Sequence, residues 1–190
     1  VFDVLTQTSC EASSEIVISA VKKDDVTQKC VPGFSNVSKT LKFWTDYVNP
    51  NTGNKKVSLT QGGNDYELAT SKGTDVSVGF DVDGEAKFTV SYPDAGQLRL
   101  NASYDGSGDD AGLSMAGEDL FVTVPAKLVV TSPDANATCG VNYITCSVFK
   151  AAGDSFNLNI EAQCDGGTPT PNYQPQANNR LELSVQQEAP

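Results

Sequence analysis

Apolar and polar positions alternate with a period of two along most of this chain, the pattern of strands that bury one face. Ile16, Ile18 and Ala20 alternate with polar or outward neighbours. Leu41, Phe43, Thr45 and Tyr47 share one face of the next strand, with Lys42, Trp44 and Asp46 on the other. Lys56 to Thr60 reads as a short strand. Val76, Val78, Phe80 and Val82 alternate, Asp83-Gly84 supplies the tight turn of a hairpin, and Phe88, Val90 and Tyr92 form the return. Pro93-Asp-Ala-Gly96 turns the chain again before Leu98, Leu100, Ala102 and Tyr104. A flexible loop, Asp105 to Gly117, precedes a last strand, Leu120 to Val124. Helical periodicity is absent.

About eight strands with turns every ten residues or so is the spacing of a β-sandwich. The run Asp94-Ala-Gly-Gln-Leu-Arg-Leu100 resembles the start of strand F in immunoglobulin domains. Leu98 stands where those domains carry a corner tyrosine, and Leu100 where they carry the central cysteine. The fold expected is therefore all-β: an immunoglobulin-like antiparallel β-sandwich over residues 1–124, without the central disulfide. A second, smaller or truncated β unit follows over residues 125–190. It starts near Pro125, which cannot donate to a neighbouring strand. Lys127 to Thr131 reads as a strand, Phe156, Leu158, Ile160 and Ala162 alternate, and so do Leu181, Leu183 and Val185. Four strands are too few for an independent sandwich, so this unit is expected to be partial or to pack on the first.

Composition narrows the function. The chain has 190 residues, a net charge of −11 and no histidine. That charge argues against nucleic acid and against anionic lipid. The missing histidine removes Ser-His-Asp and Cys-His mechanisms and the commonest zinc ligand, so no enzyme is expected. No apolar stretch is long enough for a membrane span, so no membrane insertion of this segment is expected. No secretory signal remains at the start; the chain opens on strand-like sequence, as a mature protein or an excised piece would.

Five cysteines, Cys10, Cys30, Cys139, Cys146 and Cys164, form no C-x-x-C pair. Redox or zinc motifs are disfavoured, and disulfides in an oxidising compartment are expected. The grouping suggests Cys10 with Cys30. Of the late three, Cys139 pairs locally with Cys146, or with Cys164 across a fold-back at Ala151-Ala-Gly-Asp154.

Candidate sites lie at the sandwich ends, where loops 24–38 and 105–117 should meet. Asp105, Asp109 and Asp110, spaced by glycine and serine, are candidate calcium ligands, although the run lacks the later glutamate of an EF-hand. Trp44 is the only tryptophan. Facing outward, it would be a ligand-binding surface for a sugar ring or a partner. In a register shifted by one it would be the buried strand-C tryptophan of the fold, and that alternative is favoured.

Two runs resemble a known family. One is Phe80 through Tyr104; the other is Phe121-Val-Thr-Val-Pro-Ala-Lys-Leu128 with Phe149 through Leu158 and Thr170-Pro-Asn-Tyr173. Their words, order and spacing resemble the C-terminal region of the MshQ-type proteins of mannose-sensitive haemagglutinin (type IV) pilus systems in Gram-negative bacteria. The family's phrase before the second unit runs Phe-x-Val-Arg-Pro; Val124 stands at the arginine. The resemblance implies an exported protein at the cell surface or outside the cell, with no catalytic motif to carry over. The expected role is a non-catalytic structural or adhesive segment, with pilus components or cell-surface glycans as partners. The alternative is a glycan- or calcium-dependent binding module at an adhesin tip.

Overall fold

The computed structural model describes residues 2–71, 73–139 and 146–173. Two sheets face each other over residues 2–124. The first has five strands in the order β1-β11-β10-β5-β8, where β1 is Gln7–Thr8, β5 Val37–Asn49, β8 Thr74–Phe80, β10 Gly96–Asp105 and β11 Ser114–Val124. The second has four in the order β2-β9-β6-β7, where β2 is Ile16–Ser19, β6 Ser58–Gln61, β7 Asn64–Glu67 and β9 Glu85–Ser91. All pairings are antiparallel except β1 with β11, which is parallel. A short ribbon, β3 (Val21–Lys23) with β4 (Cys30–Pro32), lies at one end. After Val124 the chain forms a separate two-stranded sheet, β12 (Lys127–Thr131) with β13 (Asn159–Gln163). Leu181, Leu183 and Val185 lie outside the described residues.

Period-two alternation puts Leu41, Phe43 and Thr45 of β5 and Leu98 and Leu100 of β10 into the core from the first sheet. Ile16, Leu59, Phe88 and Val90 enter it from the second. Phe43 and Phe88 meet edge to face, ring centroids 5.5 Å apart. Leu100 is fully buried where an immunoglobulin domain carries its cysteine, so packing alone joins the sheets there.

Two local expectations are corrected. Asp83-Gly84 does not close a hairpin within one sheet. The turn itself forms: Asp81 N–H donates to the Glu85 carbonyl at 2.8 Å, and Asp81 Oδ1 accepts from the N–H groups of Asp83 and Glu85 at 2.9 Å each. The strands then diverge, β8 pairing with β5 and β9 with β2 and β6. The turn is a crossover between sheets, and Val82 is exposed rather than continuing β8. A dipeptide specifies a tight turn but not which neighbours the flanking strands choose.

Second, the loop is shorter than Asp105 to Gly117: Gly106 to Leu113 is loop with one 3-10 turn, while Asp105 and Ser114 to Gly117 are strand. β11 starts at Ser114 and pairs with β10 through ten consecutive positions, Gly96↔Thr123 to Asp105↔Ser114. From Ser114 to Asp119 Met115 is the one large apolar residue, and it packs against the core; the rest of the inner face is covered from elsewhere, the Phe2 ring lying against Gly117 and Val4 N–H donating to Asp119 Oδ2 at 2.7 Å.

Gly84 has φ +75, and a Cβ there would lie 2.8 Å from the Phe34 carbonyl oxygen and 2.9 Å from the Pro32 Cβ. Both the backbone conformation and the space demand glycine. Gly84→Ala is expected to cost about 1–3 kcal/mol, read from urea unfolding; an unchanged midpoint would contradict this packing.

Candidate functional site

The loop after β10 is built on glycines. Gly108 has φ +60 and opens a single 3-10 turn, Gly108–Asp110. Gly106 passes so close to Asp110 that a Cβ would overlap the Asp110 carbonyl oxygen. Gly106 N–H donates to the Leu113 carbonyl at 2.8 Å and Leu113 N–H to the Asp110 carbonyl at 2.9 Å. This compact loop aims Asp110 at the mouth of the sandwich. There its carboxylate accepts from Tyr104 OH at 2.6 Å and pairs with Lys39 Nζ. The Lys39 ammonium sits 5.1 Å from the Phe34 ring centroid, a cation–π contact. The hydrogen bond from Lys39, then that from Tyr104, holds the Asp110 carboxyl below its ordinary range, while Asp110 raises both partners. Lys22 of β3 adds to the field at Asp110, so the β3–β4 ribbon and this loop share one end.

The three loop carboxylates do not converge, which corrects their reading as a calcium set. Asp110 turns inward to Lys39 and Tyr104, Asp105 Oδ1 accepts from the Ser114 hydroxyl at 3.1 Å, and Asp109 is exposed. Among the described residues no group of three or more acidic, histidine or cysteine side chains is placed to hold a metal ion. The neutralising cation comes from β5, more than sixty residues away in sequence, which spacing within the loop cannot reveal.

Trp44 is corrected too. It stands on the outward row of β5 with Lys42 and Asp46 and is half-buried, not a core residue; Phe43 and Thr45 take the inner face. Its cross-strand partner is Asn101, whose Nδ2 donates to Asp46 Oδ2 at 3.0 Å. Toward the loop, the same outer surface dips into a polar cleft of about 390 Å³. Lys42 and Asp75 pair across one wall at 2.7 Å, and Ser38, Thr40 and Ser103 contribute hydroxyls. An apolar cavity between the sheets, lined by Phe2, Phe34 and Leu41 among others, is far smaller at about 50 Å³.

The opposite end of the sandwich carries the junction with the second unit. Cys10 follows β1 and is bonded to Cys164, which follows β13, with 5.5 Å between their Cα atoms. Cys30 is therefore not the partner of Cys10; it is an exposed free thiol in β4. The reason is topological. Cys30 sits in the ribbon at the loop end, and Cys10 beside Val124, whose carbonyl accepts from Ser9 N–H at 2.8 Å. The length of β11 separates those ends, roughly 30 Å at about 3.3 Å per residue. A disulfide spans no more than about 7 Å between Cα atoms. Cys139 is joined to Cys146.

Next to the inter-unit bond, Asp94 is fully buried. Its Oδ1 accepts from Ala95 N–H at 2.8 Å and from Asn172 N–H at 3.0 Å, and Asn172 Nδ2 donates to Tyr92 OH at 3.2 Å. Asp94 Oδ2 is buried without a hydrogen-bond partner. Burial raises the Asp94 carboxyl above its ordinary range, only partly opposed by the two N–H donors. Burial, and then the Asp94 charge, raises the Tyr92 phenol. With the folded Asp94 value above the unfolded one, its contribution favours folding at low pH. That contribution declines as pH rises from about 4 through the folded value and is constant beyond it. In Asp94→Asn the amide oxygen keeps the acceptor role and the charge is gone. The stability of this variant minus that of the native protein is expected to increase with pH across that window, as read from urea unfolding at successive pH values. A flat difference would contradict the buried charge.

Residues 1–118 match a family model described as a domain of unknown function (DUF6701), first Ig-like domain, and residues 124–190 match the model of the second domain of the same family. No curated protein and no solved structure matches the chain.

Proposed function

Because the chain belongs to the DUF6701 family, with the family's first Ig-like domain and second domain in tandem, we propose that it is a non-catalytic structural and adhesive segment of an exported, pilus-associated surface protein. The observation that carries this reading is the disulfide between Cys10 and Cys164, which staples the second unit to the end of the sandwich. Together with the hydrogen bonds from Asn172 to Asp94 and Tyr92, it makes a fixed elbow rather than a loose tether. A fixed elbow suits a protein that transmits position or load along a surface structure. Disulfides of this kind form and persist in oxidising compartments, which supports export. Among the described residues no helix is long and apolar enough to cross a membrane.

The link to a type IV pilus rests on the resemblance of Phe80–Tyr104 and Phe121–Leu128 to MshQ-type proteins. The non-catalytic reading rests on the absence of histidine and on the loop acids Asp110, held by Lys39 and Tyr104, and Asp105, held by Ser114. The test is antibody labelling of intact producing cells, with immunogold on sheared pilus preparations. Labelling of the surface and of pilus fractions is expected; native protein confined to the cytosol would overturn the proposal.

A further inference from the structure

The first sheet ends in an unguarded strand. β8 closes the order β1-β11-β10-β5-β8, and among the described residues no backbone hydrogen bond joins Thr74–Phe80 to any strand but β5. One side of β8 therefore presents a row of N–H and C=O groups to solvent, a template for another strand. The other strands that end a sheet among the described residues are shorter: two residues in β1, three in β3 and β4, four in β2 and β7, five in β12 and β13. β7, which lies near β8 in the other sheet, also carries exposed Asp65 and Glu67, charges that discourage pairing. β8 has seven residues, no proline, no lysine or arginine, and no bulge in its register with β5. Its inner side chains Val76, Val78 and Phe80 are buried in the core, so the strand is held in place. Its outer ones, Asp75, Ser77 and Gly79, are short and exposed.

We propose that β8 is a self-association edge: two copies of this chain pair antiparallel along it about a two-fold axis at Ser77, joining their five-stranded sheets into one. The occupant is a second copy because β8 complements itself in that register. Val76 meets the partner's Val78 and Thr74 the partner's Phe80, which continues the inner apolar row from one sheet into the next. Ser77 meets its own counterpart. Asp75 meets the partner's Gly79, whose missing side chain leaves room for the carboxylate; the Gln61 side chain, which approaches Gly79, is flexible. Asp75 also keeps its own Lys42 at 2.7 Å, so no two like charges stand opposite each other. Moving the axis by one residue, to Val76, would bring the two Asp75 carboxylates to diagonal positions, about 7–8 Å apart. The Ser77 register avoids this. Such an interface is isologous and closes at two copies. A single strand pair buries less than a standard interface, so the dimer is weak and exchanges readily. The net charge of −11 on each copy opposes approach, so association strengthens as salt rises.

The test is sedimentation of the full chain over a concentration series at about 50 and 500 mM salt, with Cys30→Ser in every sample so that no intermolecular disulfide forms. A monomer–dimer equilibrium is expected, tighter at the higher salt. Ser77→Glu and Ser77→Lys change an exposed position and set like charges opposite each other at the axis. Each should weaken the dimer about tenfold or more, with the fold intact by circular dichroism. An equal mixture of the two should recover dimer, because opposite charges then meet. Without either charge change, the amide NMR signals of residues 74–80 should shift with concentration. A chain that stays monomeric up to roughly 1 mM overturns the proposal. So does a dimer that neither variant weakens, a mixture that stays monomeric, or concentration-dependent shifts confined to residues outside β8.

Discussion

Replacing Phe43 with alanine is expected to lower the stability of the chain by about 3–5 kcal/mol. Phe43 is fully buried and packs its ring edge to face with Phe88 of the opposite sheet, so its removal leaves a cavity where the two sheets meet. No disulfide bridges the sheets at the Leu100 position to limit the damage. Its neighbour Trp44, though larger, faces outward, and Trp44→Ala is expected to cost about 1 kcal/mol or less. The comparison reads the register of β5 directly, because a slip by one residue exchanges the two faces. Urea unfolding of both variants checks it; a greater loss from Trp44 than from Phe43 would place the tryptophan in the core.

Removing the Cys10–Cys164 bond by replacing both residues with serine is expected to cost about 2–5 kcal/mol. The bond joins positions 154 residues apart, so it restrains nearly the whole unfolded chain. On the chain-entropy model a loop of that length lies near the upper end of the range, about 5 kcal/mol. A second readout follows from location. With the bond gone, the backbone near Pro125 and, among the described residues, the Asn172 hydrogen bonds hold the second unit in place. Limited proteolysis should then cut around residues 125–126 and release a folded sandwich. Equal stability and equal protease resistance would mean that the bond does not fix the elbow.

The fold was legible where one face is buried and the other is wet. Leu41-Phe43-Thr45 and Phe88-Val90-Tyr92 declared their strands and faces by alternation alone. The strand character of Leu98 and Leu100 and the position of Leu100 in the core were equally plain. Strands whose partners lie far away in sequence were harder. Ser114 to Gly117 reads as loop by sequence because the residues that cover this part of β11, Phe2 and Val4, come from the other end of the chain. β7 and the β3–β4 ribbon carry too few apolar residues to show a period.

The site was less legible for the same reason. Asp105, Asp109 and Asp110 had the composition of an ion-binding loop, but Lys39 and Tyr104 arrive from two other strand positions and claim Asp110. Sequence proximity pairs Cys10 with Cys30; the sandwich places them at opposite ends, and Cys164 arrives from the second unit. Asp94 sits in a turn by sequence, and the arrival of Asn172 makes it part of the junction.

The most direct test of the two-unit account is peptide mapping of the native chain without reduction, after alkylation of free thiols. The account predicts a cross-linked peptide pair carrying Cys10 and Cys164, a second bond between Cys139 and Cys146, and alkylation at Cys30 alone. A Cys10–Cys30 cross-link with Cys164 alkylated would contradict it, because no disulfide would then join the two units.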